Sequence, residues 1–189
     1  GSGKFQFKAL PRLAQLAPSF GIIINDLDGD TIPDLYLAQN FYSPQPETGR
    51  MSGGLSTMLR GRGDGSFDAL WPRESGLLVP EDATATCLTD IDGDSWPDIL
   101  VASNNGPLRS FINQSRSRYP QHRMLCVTLR GAAGNPESVG ARVTLTHNDK
   151  TVQKAWVQAG SGYLSQSSQS LFFGLGNKKP ESIKVRWPD

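Results

Sequence analysis

One nine-residue pattern, Asp-x-Asp-Gly-Asp-x-x-Pro-Asp, occurs twice in this chain, starting at Asp26 and again at Asp90, 64 residues apart. Eight of the thirteen aspartates fall within these two segments: Asp26, Asp28, Asp30 and Asp34, then Asp90, Asp92, Asp94 and Asp98. Four carboxylates on one short turn repel one another unless a cation lies among them. Each copy is bracketed by strand-like apolar runs, at 21–24 and 35–38 and again at 85–88 and 99–102. The pattern therefore reads as a loop joining two neighbouring strands, repeated once.

The spacing specifies the ligand chemistry. Positions 1, 3 and 5 alternate, which turns three carboxylates toward one point. The main-chain carbonyl of position 7 (Ile32, Trp96) joins them, and position 9 (Asp34, Asp98) closes the shell. All-oxygen, strongly anionic ligation suits Ca²⁺, whereas Mg²⁺ retains its waters and zinc or copper calls for His or Cys. The loop is not an EF-hand. Its flanks are strands, position 12 is Leu37 or Val101 rather than Glu, and position 6 is Thr31 or Ser95 rather than Gly. Two Ca²⁺ ions, one per loop, are expected. The wide sequence separation suggests that they bind independently.

Glycine and proline are abundant, with 20 and 13 among 189 residues. Many turns and few long helices follow. Residues 56–60 and 66–70 flank Gly61-Arg62-Gly63-Asp64-Gly65, a hairpin signal. The Arg62-Gly63-Asp64 tripeptide used in integrin recognition falls inside that hairpin, where Gly-Asp-Gly serves the turn, and is read as a turn. From about Tyr119-Pro120 the pattern changes to short alternating strands at 124–129, 141–146, 151–157, 170–173 and 182–187, and 10–17 reads as no more than a turn of helix. The expected architecture is all-β: a repeat region of about two propeller-like blades over 1–119, then a small β-sandwich-like domain over 120–189.

Charge follows the same division. Up to Pro120 there are ten Lys and Arg against fourteen Asp and Glu, and from Gln121 onward nine against four. A whole-chain net charge of +1 offers no case for nucleic-acid binding,. The basic surplus of the second region (Lys150, Lys154, Lys178, Lys179, Lys184, Arg186) reads as a solvated face or one that meets an anionic glycan or acidic protein. No apolar run reaches the ~18 residues of a membrane span. Cys87 and Cys126 read as free thiols, with a single bridge the alternative. Asn113-Gln114-Ser115 is a glycosylation sequon, and Gly1-Ser2-Gly3 reads as a tag remnant. The glycines of Gly160-Ser161-Gly162 read as a turn and Tyr163 as a core anchor. Neither His122 nor His147 sits in a catalytic motif.

The two acidic loops and the Gly-Asp-Gly hairpin resemble the FG-GAP/VCBS-type repeats of calcium-binding β-propellers, including integrin α-chain heads. Val139-Gly140-Ala141-Arg142-Val143, the 159–166 string Ala-Gly-Ser-Gly-Tyr-Leu-Ser-Gln, Phe173-Gly174-Leu175-Gly176 and Val185-Arg186-Trp187-Pro188-Asp189 resemble, in this order, an ASPIC/UnbV domain. That resemblance implies a secreted, cell-surface or periplasmic repeat protein, of which this chain is a C-terminal part, with further blades in the parent as partners. The implied function is non-catalytic: a calcium-binding adhesion or interaction module for a protein or glycan ligand, with calcium structural. One alternative is a lectin-like propeller stacking sugars on Trp71, Trp96 and Tyr163. Another is a part of a larger secreted enzyme.

Overall fold

The computed structural model describes residues 3–40 and 54–188; Gly1, Ser2 and Asp189, named above, lie outside them. The fold is all-β. Strands β1 (Ser19–Asn25), β2 (Asp34–Gln39), β3 (Thr57–Gly61) and β4 (Phe67–Leu70) form one antiparallel sheet in the order β1-β2-β3-β4. Strands β5 (Ala83–Thr89), β6 (Asp98–Ser103) and β7 (Arg109–Phe111) form a second, in the order β5-β6-β7. The acidic loops are the β1–β2 and β5–β6 connections. Each is closed by the same kind of pair, Asn25 opposite Asp34 and Thr89 opposite Asp98. Even the register shifts correspond, between Ser19 and Gly21 in one sheet and between Ala83 and Ala85 in the other. The sequence repeat is thus a structural repeat.

One apolar cluster serves both sheets. Ile23, Leu27, Tyr36, Met58, Val79, Leu88, Ile99 and Val101 are all buried in it, so the two repeats share a core. The β1 run is apolar on both faces. Ile23 points inward, while Ile22 and Ile24 remain exposed. The 3₁₀ turn at Arg12–Gln15 is all that the 10–17 segment forms, and it buries only Ala14.

From β8 onward the strands pair among themselves. β8 (Met124–Val127) pairs with β11 (Leu171–Gly174), and β9 (Arg142–His147) lies between β10 (Val152–Trp156) and β12 (Pro180–Arg186). Val143, Leu145, Phe173 and Leu175 are buried between these two small sheets. Cys87 on β5 and Cys126 on β8 are half-buried free thiols. Burial raises the pKa of both, which favours the protonated, unreactive form,.

The central strand gives a direct test of this packing. Leu145 is fully buried, so Leu145→Ala should cost about 2–5 kcal/mol in urea unfolding,. Ile24→Ala, at a position 66% exposed, should change stability by no more than about 0.5 kcal/mol. Similar midpoints for the two variants would mean that the core is misassigned.

Candidate metal centre

Main-chain N–H groups organise the carboxylates in the same way in both loops. Asp26 accepts from Gly29 (2.7 Å) and Thr31 (2.6 Å), and Asp90 from Gly93 (2.8 Å) and Ser95 (3.0 Å). Asp28 accepts from Asp30 N–H, and Asp92 from Asp94 N–H. Asp30 and Asp94 each turn an oxygen to the N–H of position 7, Ile32 and Trp96. Asp34 and Asp98 reach back to the N–H of position 2, Leu27 (3.0 Å) and Ile91 (2.7 Å). Their second oxygens accept from the neighbouring chain, Gly61 N–H in one repeat and Asn113 N–H in the other. The turn needs a left-handed residue at position 6. Thr31 (φ 83°) and Ser95 (φ 72°) supply it without being glycine. That conformation is strained for a branched side chain, and both loops adopt it.

The result is two carboxylate trios. One oxygen from each of Asp26, Asp28 and Asp34 lies within 4.8 Å of the others, and the same holds for Asp90, Asp92 and Asp98. Two oxygens bound at about 2.4 Å to one Ca²⁺ are at most about 4.8 Å apart, so the donor set fits such an ion. It does not fit zinc or copper, since no His or Cys belongs to either trio,.

The loops differ in their surroundings. Asp26, Asp28 and Asp34 are all buried, whereas Asp92 is exposed and Asp90 half-buried. Burial, reinforced by the neighbouring carboxylates, pushes Asp26 up to about 7 and Asp34 to about 6. Desolvation and like charges both disfavour the ionised form of a crowded, buried acid.

Sequence order concealed what buries the first loop. His122 Nδ1 donates to the Asp28 carbonyl (2.7 Å) and stacks on Tyr119. Arg60 Nε approaches Asp28 Oδ2 (3.3 Å) while its Nη2 donates to Tyr119 Oη (2.8 Å). The Phe173-Gly174-Leu175-Gly176 segment lies directly over the loop, with Gly176 N–H donating to the Gly29 carbonyl (2.7 Å). A Cβ on Gly174 would sit 1.6 Å from Asp26 Oδ2. The glycine is there because the strand and the carboxylate are in contact. No composition or spacing signal marks this, because it is a contact between distant parts of the chain.

Asn113 ties the loops together. Its Nδ2 donates to the Leu27 carbonyl of the first loop (2.9 Å) and to the Pro97 carbonyl of the second (3.0 Å). The loops expected to be independent are therefore bridged by one side chain, and the sequon amide is already engaged. The 159–166 string is likewise a seam: Ser165 Oγ donates to the Thr86 carbonyl, and just beyond it Ser168 N–H donates to that of Leu88. Tyr163 is not a core anchor. It is half exposed and meets Phe20 edge-on. Trp96 is buried at 3% exposure and presents no face to a sugar, while Trp71 is exposed. Arg62-Gly63-Asp64 sits in the β3–β4 hairpin, where Asp64 accepts from Ser66 N–H and Arg62 forks onto Asp68.

Comparison with known proteins gives the class. Residues 26–101 match the FG-GAP-like repeat model and residues 131–189 match the ASPIC and UnbV model. The chain is thus similar to an FG-GAP-like repeat over its first part and to the ASPIC and UnbV family over its last. Over nearly its whole length it is similar to cartilage acidic protein 1. It is 27% identical to that of Homo sapiens over 193 residues (99% of this chain), 27% identical to that of Mus musculus, and 26% identical to that of Xenopus tropicalis. The chain spans 28% of the length of these curated relatives.

The contact at Gly174 yields a prediction. Gly174→Ala should destabilise the protein by about 3 kcal/mol or more, because either β11 or the loop must move. Gly134→Ala, where nothing lies within 4 Å, should be neutral or slightly stabilising, by at most about 1 kcal/mol. Thermal melts of the two variants side by side check the difference.

Proposed function

We infer that this chain is part of a calcium-stabilised, non-catalytic interaction module that works outside the cytoplasm. The observation that carries the reading is the duplicated carboxylate trio, with oxygens within 4.8 Å of one another in both loops and corresponding main-chain donors to each aspartate. Asp26, Asp28, Asp30, Asp34 and the Ile32 carbonyl would hold one Ca²⁺. Asp90, Asp92, Asp94, Asp98 and the Trp96 carbonyl would hold the other. Calcium here supplies charge neutralisation and cross-links two strands to their loop. Extracellular modules of this type work at millimolar calcium, which suits a secreted, cell-surface or periplasmic protein. Among the described residues no helix is long and apolar enough to cross a membrane.

The two sheets act as blades of a propeller completed by other parts of the parent protein, and the segment from about residue 120 is a separate β domain docked on both of them. The ligand is a protein or a glycan. A lectin-like role is the second reading, favoured by the exposed rings of Trp71 and Tyr163. A glycan array separates the two.

Calorimetric titration with Ca²⁺ should show uptake at two sites. At ~100 times its Kd the ion should add about 2.7 kcal/mol per site to folding stability. Asp28→Asn should abolish one site and Asp92→Asn the other. Asn113→Ala should disturb both, since its amide serves both loops. Unchanged melting on chelation together with no calcium uptake would overturn the proposal.

The pH dependence has a definite sign. In the metal-free fold Asp26 and Asp34 hold protons that the unfolded chain, with carboxyls near 3.8, has already released. Their contribution to metal-free stability is therefore lost as pH rises from about 4 to about 7. The difference in melting temperature between calcium-loaded and chelated protein should accordingly be wider at pH 7.5 than at pH 5.

A further inference from the structure

We propose that the outward face of the β10-β9-β12 sheet is a docking surface for a sulfated polysaccharide chain. The pairing register arranges that face in rows. Trp156, Arg142 and Arg186 lie side by side across the three strands, and Lys154, Thr144 and Lys184 form the next row. Val143, Leu145, Ala155 and Val185 pack into the core, so the alternate residues all face away from it,. Rows two residues apart are separated by about 6.8 Å and neighbouring strands by about 4.8 Å, which makes a flat grid of charge.

Ion pairing in the folded chain selects these cations from the basic surplus. Lys150 is paired with Glu181 (2.6 Å) and Lys178 with Asp149 (3.0 Å). Among the described residues Lys154, Lys184, Arg186 and Arg142 have no such partner, and Arg142 Nε is buried without an acceptor. The outward positions of the three strands, Val152, Lys154 and Trp156, Arg142, Thr144 and Thr146, and Ser182, Lys184 and Arg186, include no carboxylate. Arg142 and Arg186 are direct register partners, an arrangement of like charges that destabilises a sheet on its own,. An external anion offsets that repulsion.

Guanidinium forks match the oxygens of sulfate or carboxylate. Trp156, 49% exposed beside them, offers the apolar plane on which the C–H face of a pyranose ring rests. A flat face with one aromatic ring fits a chain of anionic sugars better than a folded acidic protein, which needs a pocket for anchors, or a nucleic acid, which needs a ring for each of several bases. The face is built from β9, β10 and β12 and includes no aspartate of either acidic loop, so failure here leaves the calcium reading standing.

The test uses the full chain in calcium, with a heparin fragment, a single-stranded DNA oligomer and polyglutamate as probes in one binding assay. Heparin should bind tightest, with an affinity that falls steeply with salt. Replacing Lys154 and Lys184 together by Ser should weaken it at least tenfold and flatten the salt dependence. Replacing both by Arg should preserve it, and melting curves confirm that each variant is folded. Trp156→Ala should weaken binding several-fold with the salt dependence unchanged. The same charge change made at Lys150 and Lys178 should leave affinity within twofold. Equal loss at those two positions, equal or tighter binding of DNA or polyglutamate, or no heparin binding at low salt would overturn the proposal.

Discussion

A carboxylate removed from water must be met by donors or by a cation, and the repeat region of this protein is organised by that requirement. Position 9 of each loop, Asp34 or Asp98, is almost wholly buried at 1% exposure and is met on both oxygens by main-chain N–H groups. One oxygen closes the loop on itself and the other anchors it to the end of β3 at Gly61 or to Asn113 just beyond β7. Removing such an acceptor strands two buried donors at once, which is why these aspartates serve the fold as well as the site. The trio that each then forms with positions 1 and 3 crowds three carboxylates around one point.

The two loops start from one pattern and reach different environments. The second faces solvent on one side. The first is covered by His122, by Arg60 and by the glycines at 174 and 176. Desolvation therefore bears more heavily on the first loop, and it accounts for the raised Asp26 and Asp34. The segment that covers the first loop therefore meets its carboxylates directly. Asn113 joins the two loops, because its single amide group spans both.

Two of the four strings that resemble the ASPIC and UnbV family are contacts with the repeats. The Phe-Gly-Leu-Gly turn packs on the first acidic loop, and the serine-rich stretch at 165–168 bonds to β5. Glycine and serine suit such seams, the first by allowing backbone to approach a carboxylate and the second by offering small donors. The outer face of the same segment is free of these duties. There the pairing register, rather than any motif, gathers the unpaired cations.

The sequence by itself determined the all-β class, the duplicated loop and the chemistry of its ligands, because alternation, turn residues and the Asp spacing are local properties read along the chain. The Arg62-Gly63-Asp64 turn was legible for the same reason, since a hairpin is set by its own few residues. Tertiary structure alone decided that Trp96 is buried, that Tyr163 is not, that Gly174 lies against Asp26, that Asn113 joins both loops, and that Lys150 and Lys178 are neutralised while Lys154 and Lys184 are not. Each of these depends on which distant surfaces meet. A side chain's exposure, its ion partner and the room available at a glycine are properties of the packed chain, set by contacts tens of residues apart that leave no periodic trace in the sequence.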